Sequence, residues 1–397
     1  MVKENIYIIG DAGKSLKDID SSSVKLIYID PPYNTGSKFI YNDKREKQEW
    51  RDFMSPKLIE AKRVLCDEGV IFISIDDSEY DTLKVLCDNV FGENNKLGTL
   101  ITRQATRSNS KHINTIHEYV LCYAKNKAKT HKFETKRLNI PLYNQTINKL
   151  IRSVKQSYRT EGKIAAEKHL KKLLSNYEHI DGFSWLRNYN LVDDEGNIFF
   201  AKDLSMPGEP NKLSIPEIGV ELEPLKSRRW TMKKKMLELH SNNLLIFKSG
   251  RPYRKSLLID SKDSLMSILN FYSRQGTNDL EKLGLKNLFD TPKPVDMIKL
   301  FILCVCHDGD TVLDYFAGSA TTGQAVWEVN KELGYNLNFI LIQISEKLDQ
   351  KSPISKVLIE NNLSNDLANI GILRLNRVKD KLGDYDFKVI GSLKNEK

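Results

Sequence analysis

The apolar positions of the chain follow two periods. Short runs rich in β-branched and aromatic residues, at 5–9, 25–29 (KLIYI), 70–75 (VIFISI) and 119–123, predict buried strands. Between them, Trp50, Phe53, Leu58, Ala61 and Leu65 recur at helical spacing, and 79–91 predicts a second helix stopped by Gly92. Strands alternating with helices predict an α/β domain with a parallel sheet.

The alternation breaks after residue 125. A polar, basic stretch leads into an expected helix over 149–174. A turn-rich region follows at 190–225, with Pro207-Gly208 and Pro210. The run LKSRRWTMKKKMLEL predicts a basic amphipathic helix around Trp230, and 244–247 and 256–259 predict strands. The α/β pattern returns at 286: a helix over 294–306 opened by Pro294, a strand at 311–313, a helix at 320–330 and a strand at 339–344. The expected organisation is one α/β domain in two sequence-distant halves, 1–125 and 286–348, around an insert at 126–285. A charged, partly helical tail spans 349–397.

Charge sharpens this division. The 397 residues carry 61 Lys and Arg against 52 Asp and Glu, a formal charge of +9. The insert holds 29 basic and 18 acidic residues and the remainder 32 and 34, so the insert carries the whole surplus. A basic surface of this kind attracts a phosphate backbone, and a solvated lysine-rich face is the plain alternative. With 40% hydrophobic and 28% charged residues the composition is globular and excludes a collagen or a wholly disordered chain. No run approaches the ~18 apolar residues of a spanning helix. The start MVKENIYIIG reads as a first strand, not a signal peptide, so a cytoplasmic protein is expected. Cys66, Cys87, Cys122, Cys304 and Cys306 each follow Leu or Val in an apolar stretch and read as small core residues. Cys304, Cys306 and His307 lack a second ligand pair, so no metal is expected.

Two motifs carry chemistry. Asp30-Pro31-Pro32-Tyr33, followed by Asn34-Thr35-Gly36, comes directly after a predicted strand, where ligand sites of open α/β sheets lie. The prolines stiffen the loop and leave carbonyl acceptors, Asp30 adds a carboxylate and Tyr33 a π face. Together they suit a planar group bearing an NH2. The second motif, LDYFAGSATTG at 313–323, runs from a strand through a glycine turn into a helix. There a ligand approaches the backbone closely and meets the positive helix end.

With both motifs in place, the chain resembles the β-class amino-methyltransferases of DNA. The matches KLIYIDPPYNTGSKFIYND, TIHEYVLCYAKN, FDTPKPVDMIKLFI and VLDYFAGSATTGQAV are similar to the modification subunits of Type III restriction-modification systems. The resemblance covers roughly 1–125 and 286–346 and is weak through the insert. It implies a Rossmann-like, S-adenosylmethionine-dependent α/β sheet in permuted order, catalytic motif first, with an inserted target-recognition domain. It implies that Asp30 and the Pro31 carbonyl accept from the target amine, that Pro32 stiffens the loop and that Tyr33 stacks on the base. Asp314, Phe316, Ala317, Gly318, Ser319 and Thr321 are then expected to line the cofactor, with Thr291, Lys293 and Asp11 as further candidates. Gln343 stands where many relatives carry an acid for the ribose, and Ala320 where many carry glycine. The chain is short for a Type III modification subunit.

The implied activity is direct methyl transfer to adenine N6 in duplex DNA after base flipping. Arg103, Arg107, Arg228, Arg229, Lys233, Lys234, Lys235, Arg251 and Arg254 are candidate DNA contacts. The implied partners are double-stranded DNA, a second copy of the chain and, as a further candidate, a restriction endonuclease subunit. The alternatives are an N4-cytosine methyltransferase, in which Ser more often replaces Asp30; a glutamine or RNA methyltransferase; and a non-catalytic DNA-recognition subunit.

Overall fold

A computed structural model describes residues 4–36, 45–105 and 111–391. It divides into two compact units, Met1–Glu134 with Ser264–Lys397, and Thr135–Asp263. The second unit is narrower than the insert expected from sequence: residues 264–285 belong to the first unit and supply an edge strand of its sheet.

The first unit is built on a nine-stranded sheet. In chain order its strands are β1 (Ile6–Ile9), β2 (Val24–Ile29), β3 (Leu65–Ile75), β4 (Lys96–Arg103), β5 (His117–Ala124), β6 (Ile268–Leu269), β7 (Thr311–Asp314), β8 (Asn338–Gln343) and β9 (Lys388–Ile390). They lie in the order β6-β4-β5-β3-β2-β7-β8-β1-β9. The sheet is mixed, not purely parallel: β5 runs antiparallel to both β3 and β4. Four residues join β3's tip to the helix Tyr80–Phe91 and four join that helix to β4, and the antiparallel β4 and β5 form a return pair on this side of the sheet. Strand β2 and the VIFISI run of β3 are wholly buried and, Lys25 and Ser74 apart, read as apolar runs, as strands covered on both faces do.

The decisive pairing is β2 with β7, parallel, with Leu26 opposite Val312 and Ile27 opposite Leu313. From β2 the chain moves through the helix Lys47–Val64 to β3, and from β7 through Thr321–Leu333 to β8. The two crossovers leave in opposite directions along the sheet. They therefore open a crevice beyond the carboxyl ends of two neighbouring strands. On one face Phe72 stacks on Phe301 of the helix Val295–Val305, with centroids 4.4 Å apart. On the other, Trp50, Met54, Leu58, Leu83, Leu86 and Phe91 fill one apolar cluster. The tail is structural: β9 extends the sheet beside β1, and the helix Ala368–Leu382 packs on Thr321–Leu333. The Tyr7 hydroxyl donates to the Ala368 carbonyl at 2.8 Å and ties the two together.

In the second unit the expected helix at 149–174 is two helices, Pro141–Glu161 and Lys163–Ser175, broken at Gly162 with φ +85°. The helix expected around Trp230 is also corrected. Arg228–Trp230 is a strand paired with Ser205–Pro207, and only Lys233–Ser241 is helical. Trp230 is 5% exposed, its backbone N–H donates to Asn211 Oδ1 and its ring N–H to the Glu223 carbonyl, so burial and these bonds override the helical spacing. The strands Leu245–Lys248 and Arg251–Leu257 form a hairpin through Ser249-Gly250 and continue into Ile198–Asp203. Among the described residues no helix is long and apolar enough to cross a membrane.

Gly276, in the helix Ser273–Glu281, lies against the Thr291–Pro294 segment, and a Cβ there would stand 1.9 Å from the Pro292 carbonyl oxygen. Gly276→Ala therefore has to push one element off the other, at a cost of about 1–3 kcal/mol. Thermal unfolding is expected to show a melting point several degrees lower; an unchanged one contradicts this packing.

Candidate active site

Asp30 leaves the tip of β2 and Asp314 ends β7, so the β2–β7 pairing sets both motifs at one edge. Between them opens a cleft enclosing about 1070 Å³, its mouth included. Its walls include Asp30 and Pro32 from the first motif and Asp314, Phe316, Ala317, Gly318, Ser319 and Thr321 from the second. Asp11, Thr291, Lys293 and Gln343 also line it. The cleft thus brings together every residue expected at the cofactor. Pro31 is buried and Tyr33 half-buried, and neither forms part of this wall.

The first corner is held rigidly. The Trp50 ring N–H donates to the Pro32 carbonyl at 2.8 Å. Glu79, 2% exposed, accepts from the Asn34 side-chain amide at 2.7 Å, and Asn34 has φ +63°. The Tyr33 hydroxyl reaches Asp30 Oδ1 at 2.7 Å and Glu118 Oε2 at 3.0 Å. Lys293, expected at the cofactor, also belongs to this corner. Its Nζ lies 3.2 Å from Asp30 Oδ1, 2.8 Å from the Tyr33 oxygen and 2.6 Å from Glu118 Oε2. Burial pushes the Asp30 carboxyl up, Lys293 pulls it down and Glu118 adds to the rise. Burial lowers the Lys293 ammonium, but Asp30 and Glu118 outweigh it and leave it raised.

The second corner is a turn held from behind. The Gly318 N–H donates to Gln343 Oε1 at 2.7 Å, so the residue at the place of an expected ribose acid serves as a brace for the loop. Gly318 has φ +50°, and a Cβ would come 3.2 Å from the Phe289 ring. Ala320 also adopts the left-handed conformation, φ +60°, the one glycine tolerates without strain. Asp314 accepts from Thr322 Oγ1 at 2.6 Å and from the Phe316 N–H at 3.0 Å. Arg374, fully buried, donates to Gln324 Oε1 at 2.8 Å, Thr321 Oγ1 at 2.7 Å and Ser319 Oγ at 3.0 Å. Burial pulls its pKa down to about 10, against Asp279 and Glu328. Asp11 caps the helix Ala12–Ser15 while facing the cleft.

Several wall or bracing residues were not anticipated: Tyr28, Arg45, Phe53, Lys57, Glu118, Phe289 and Arg374. Phe53 and Phe316 meet at 5.9 Å, and Arg45 and Lys57 flank the Phe53 ring at 4.3 and 3.7 Å. The signals were faint: Glu118 is one acid at the head of an apolar strand, and Arg374 one cation within ANIGILRLNRVKD.

The expected DNA contacts lie apart in sequence. Arg103 is on β4, its guanidinium 5.9 Å from the Tyr272 ring; Arg107 lies outside the described residues. Within the second unit, Arg228 donates to Ser205 Oγ and its carbonyl, Arg251 pairs with Asp203 at 3.0 Å, and Lys233 with Glu217 at 2.7 Å. Lys235 pairs with Glu238, Arg229 lies against Gly208, and Lys234 and Arg254 are exposed.

Ring faces, a turn whose Gly318 presents no Cβ and a buried strand-tip carboxylate suit a nucleoside with an amino-acid tail. A stiff acidic loop on the neighbouring strand tip suits an amine beside it. Fold and cleft together define a methyltransferase-type α/β domain. A family of proteins described as DNA methylase matches residues 24–351. The Type II methyltransferase M.KpnI of Klebsiella pneumoniae is 30% identical over 410 residues, covering 97% of this chain and 90% of that relative. The Type III restriction-modification enzyme EcoP15I Mod subunit of Escherichia coli is 28% identical over 97% of this chain and 65% of its own length. The EcoPI Mod subunit of Escherichia phage P1 is 29% identical over 87% of this chain and 58% of its own length. The chain belongs to the DNA methylase family. It is a DNA methyltransferase whose methyl donor is S-adenosylmethionine.

Burial pushes the Asp314 carboxyl up to about 7, with the Thr322 and Phe316 hydrogen bonds opposing. A carboxyl raised on folding contributes stability that is present below the unfolded value of about 4 and is lost as pH rises through 7. Asp314→Asn cannot ionise. Relative to wild type, its unfolding free energy without ligand is expected to improve between pH 5 and pH 8, by roughly 3 kcal/mol at most. Denaturant titrations at the two pH values check this, and parallel pH dependence contradicts it.

Proposed function

We propose that this enzyme methylates adenine N6 in duplex DNA, at a site read by the basic unit Thr135–Asp263, and that it serves a restriction-modification system. The observation that carries the reading is Asp30 in Asp-Pro-Pro-Tyr on the wall of the same cleft as the glycine turn. The family and the Mod subunits among the relatives support it.

The adenine amine is a poor nucleophile because its lone pair is delocalised into the ring. Asp30 and the Pro31 carbonyl accept its two hydrogens, favour a pyramidal nitrogen and aim its lone pair. With the Pro32 carbonyl engaged by Trp50, the loop cannot turn that aim aside. The π face of Tyr33 stacks on the extruded base. Bound S-adenosylmethionine supplies the activated methyl group. Thr291, Asp314, Phe316, Ala317, Gly318, Ser319 and Thr321 hold the donor, Asp11 lies at its adenine end, and Gln343 braces the loop. No covalent enzyme intermediate is required, and the nitrogen sheds its proton after transfer.

The halves on either side of the basic unit form a methyltransferase sheet in permuted order. Arg103, Arg107, Arg228, Arg229, Lys233, Arg251 and Arg254 are assigned to DNA, Arg228, Lys233 and Arg251 after exchanging internal partners for phosphate or base edges. Two copies act together, one reading DNA while the other flips the base, in the cytoplasm, with a restriction endonuclease as further partner.

Labelled methyl transfer to unmodified duplex DNA, followed by nucleoside analysis, is expected to give N6-methyladenine. N4-methylcytosine contradicts the adenine reading. Asp30→Ala is expected to lower transfer at least about 10³-fold while calorimetry shows S-adenosylmethionine still bound. Wild-type turnover by that variant contradicts the role of Asp30.

A further inference from the structure

The corner around Asp30 holds more charge than gripping an amine requires. Lys293, 9% exposed, presents its ammonium to Asp30 Oδ1 at 3.2 Å, on the carboxylate that has to face the amine. As the methyl group arrives, that amine becomes positively charged. Paired with Lys293 alone, Asp30 would offer a neutral dyad to a developing cation. Glu118 changes this. Its Oε2 lies 2.6 Å from Lys293 Nζ, a closer approach than Asp30 makes, and also receives Gln104 Nε2 at 3.0 Å. Two carboxylates and one ammonium leave a single negative charge at the corner.

The Tyr33 hydroxyl adds a second observation. It has one hydrogen and two carboxylate acceptors within reach, Asp30 Oδ1 at 2.7 Å and Glu118 Oε2 at 3.0 Å. Without substrate the hydrogen and the Lys293 ammonium both meet Asp30 Oδ1, so they compete with an amine for the Asp30 carboxylate. Lys293 donates to the hydroxyl oxygen from 2.8 Å, so its hydrogen is free to turn between the two carboxylates.

We propose that Glu118 is a positioning residue for methyl transfer: it neutralises Lys293 and takes the Tyr33 hydrogen when the target amine occupies Asp30. This rests on the reading that Asp30 holds the target amine. Glu118 reaches the corner only because β5 runs antiparallel, which places the head of that strand at the carboxyl edge of its neighbour β3. Low local dielectric makes such a compensation matter more than it would in water.

The test is single-turnover methyl transfer to unmodified duplex DNA at saturating S-adenosylmethionine, with the product nucleoside identified. Wild type, Glu118→Gln, Lys293→Met and the double variant are compared. Glu118→Gln is expected to slow transfer about 100-fold with its affinity for S-adenosylmethionine unchanged by calorimetry. Removing the Lys293 charge as well leaves Asp30 unopposed, and the double variant is expected to be at least about tenfold faster than Glu118→Gln. A wild-type rate in Glu118→Gln overturns the proposal, and so does a double variant no faster than that single one. Loss through misfolding gives the second of these results, because deleting Lys293 would not relieve it. A product other than N6-methyladenine overturns the adenine reading, while the effect at position 118 is still read from the variant rates.

Discussion

One pairing governs the site: β2 lies parallel beside β7, with Ile27 opposite Leu313. These strands come from halves of the chain nearly three hundred residues apart, and each ends in a motif that does little alone. Parallel neighbours present their carboxyl ends at the same edge, and the crossovers diverge there, so a cleft opens with an acidic loop on one side and a glycine turn on the other. The bracing contacts act through this arrangement. Trp50 and Glu79 hold the acidic loop, and Gln343 and Arg374 hold the turn. A slip of one residue between β2 and β7 would turn Asp314 to the opposite face of the sheet.

Burial makes the polar residues of the cleft interdependent. Asp30 is raised by burial and drawn back by Lys293, and Lys293 stays charged because two carboxylates surround it. Arg374 is packed among hydroxyl and amide oxygens, with Nη2 meeting no partner among the described residues. A buried cation without a directly paired carboxylate is costly, and it persists here where it fixes Ser319 and Thr321 on the cleft wall. The C-terminal segment is therefore part of the methyltransferase unit, joined to the sheet by β9 and to the glycine turn by Arg374.

Much of this was legible in the residues. KLIYI before Asp30 and VIFISI are unambiguous buried strands, Gly92 stops its helix as expected, and the motif at 313–323 lies on a strand-to-helix turn. Local signals failed where distant contacts decide. Arg228–Trp230 has helical spacing but joins a strand because Trp230 fills a core. The two-residue strand Ile268–Leu269 exists only because β4 offers an edge. Glu118 and Lys293 are 175 residues apart, and neither spacing nor composition announces that they meet. Lys293 lines the cleft where its motif places it, while its shortest contacts, with Glu118 and the first corner, are not readable from that motif. The antiparallel direction of β5, which delivers Glu118, is likewise invisible to periodicity, because parallel and antiparallel buried strands read alike.

The central claim is that two corners on adjacent strand tips build one methyl-transfer site. A crystal structure with sinefungin, whose amine stands where the transferable methyl would be, tests it most directly. The account predicts that amine within about 6–7 Å of the Asp30 carboxylate, one hydrogen bond plus one near-attack distance of about 3 Å each. The same structure is expected to show the amino-acid tail against the turn at Gly318–Thr321. Sinefungin bound elsewhere, or held in this cleft with its amine directed away from Asp30, would contradict it.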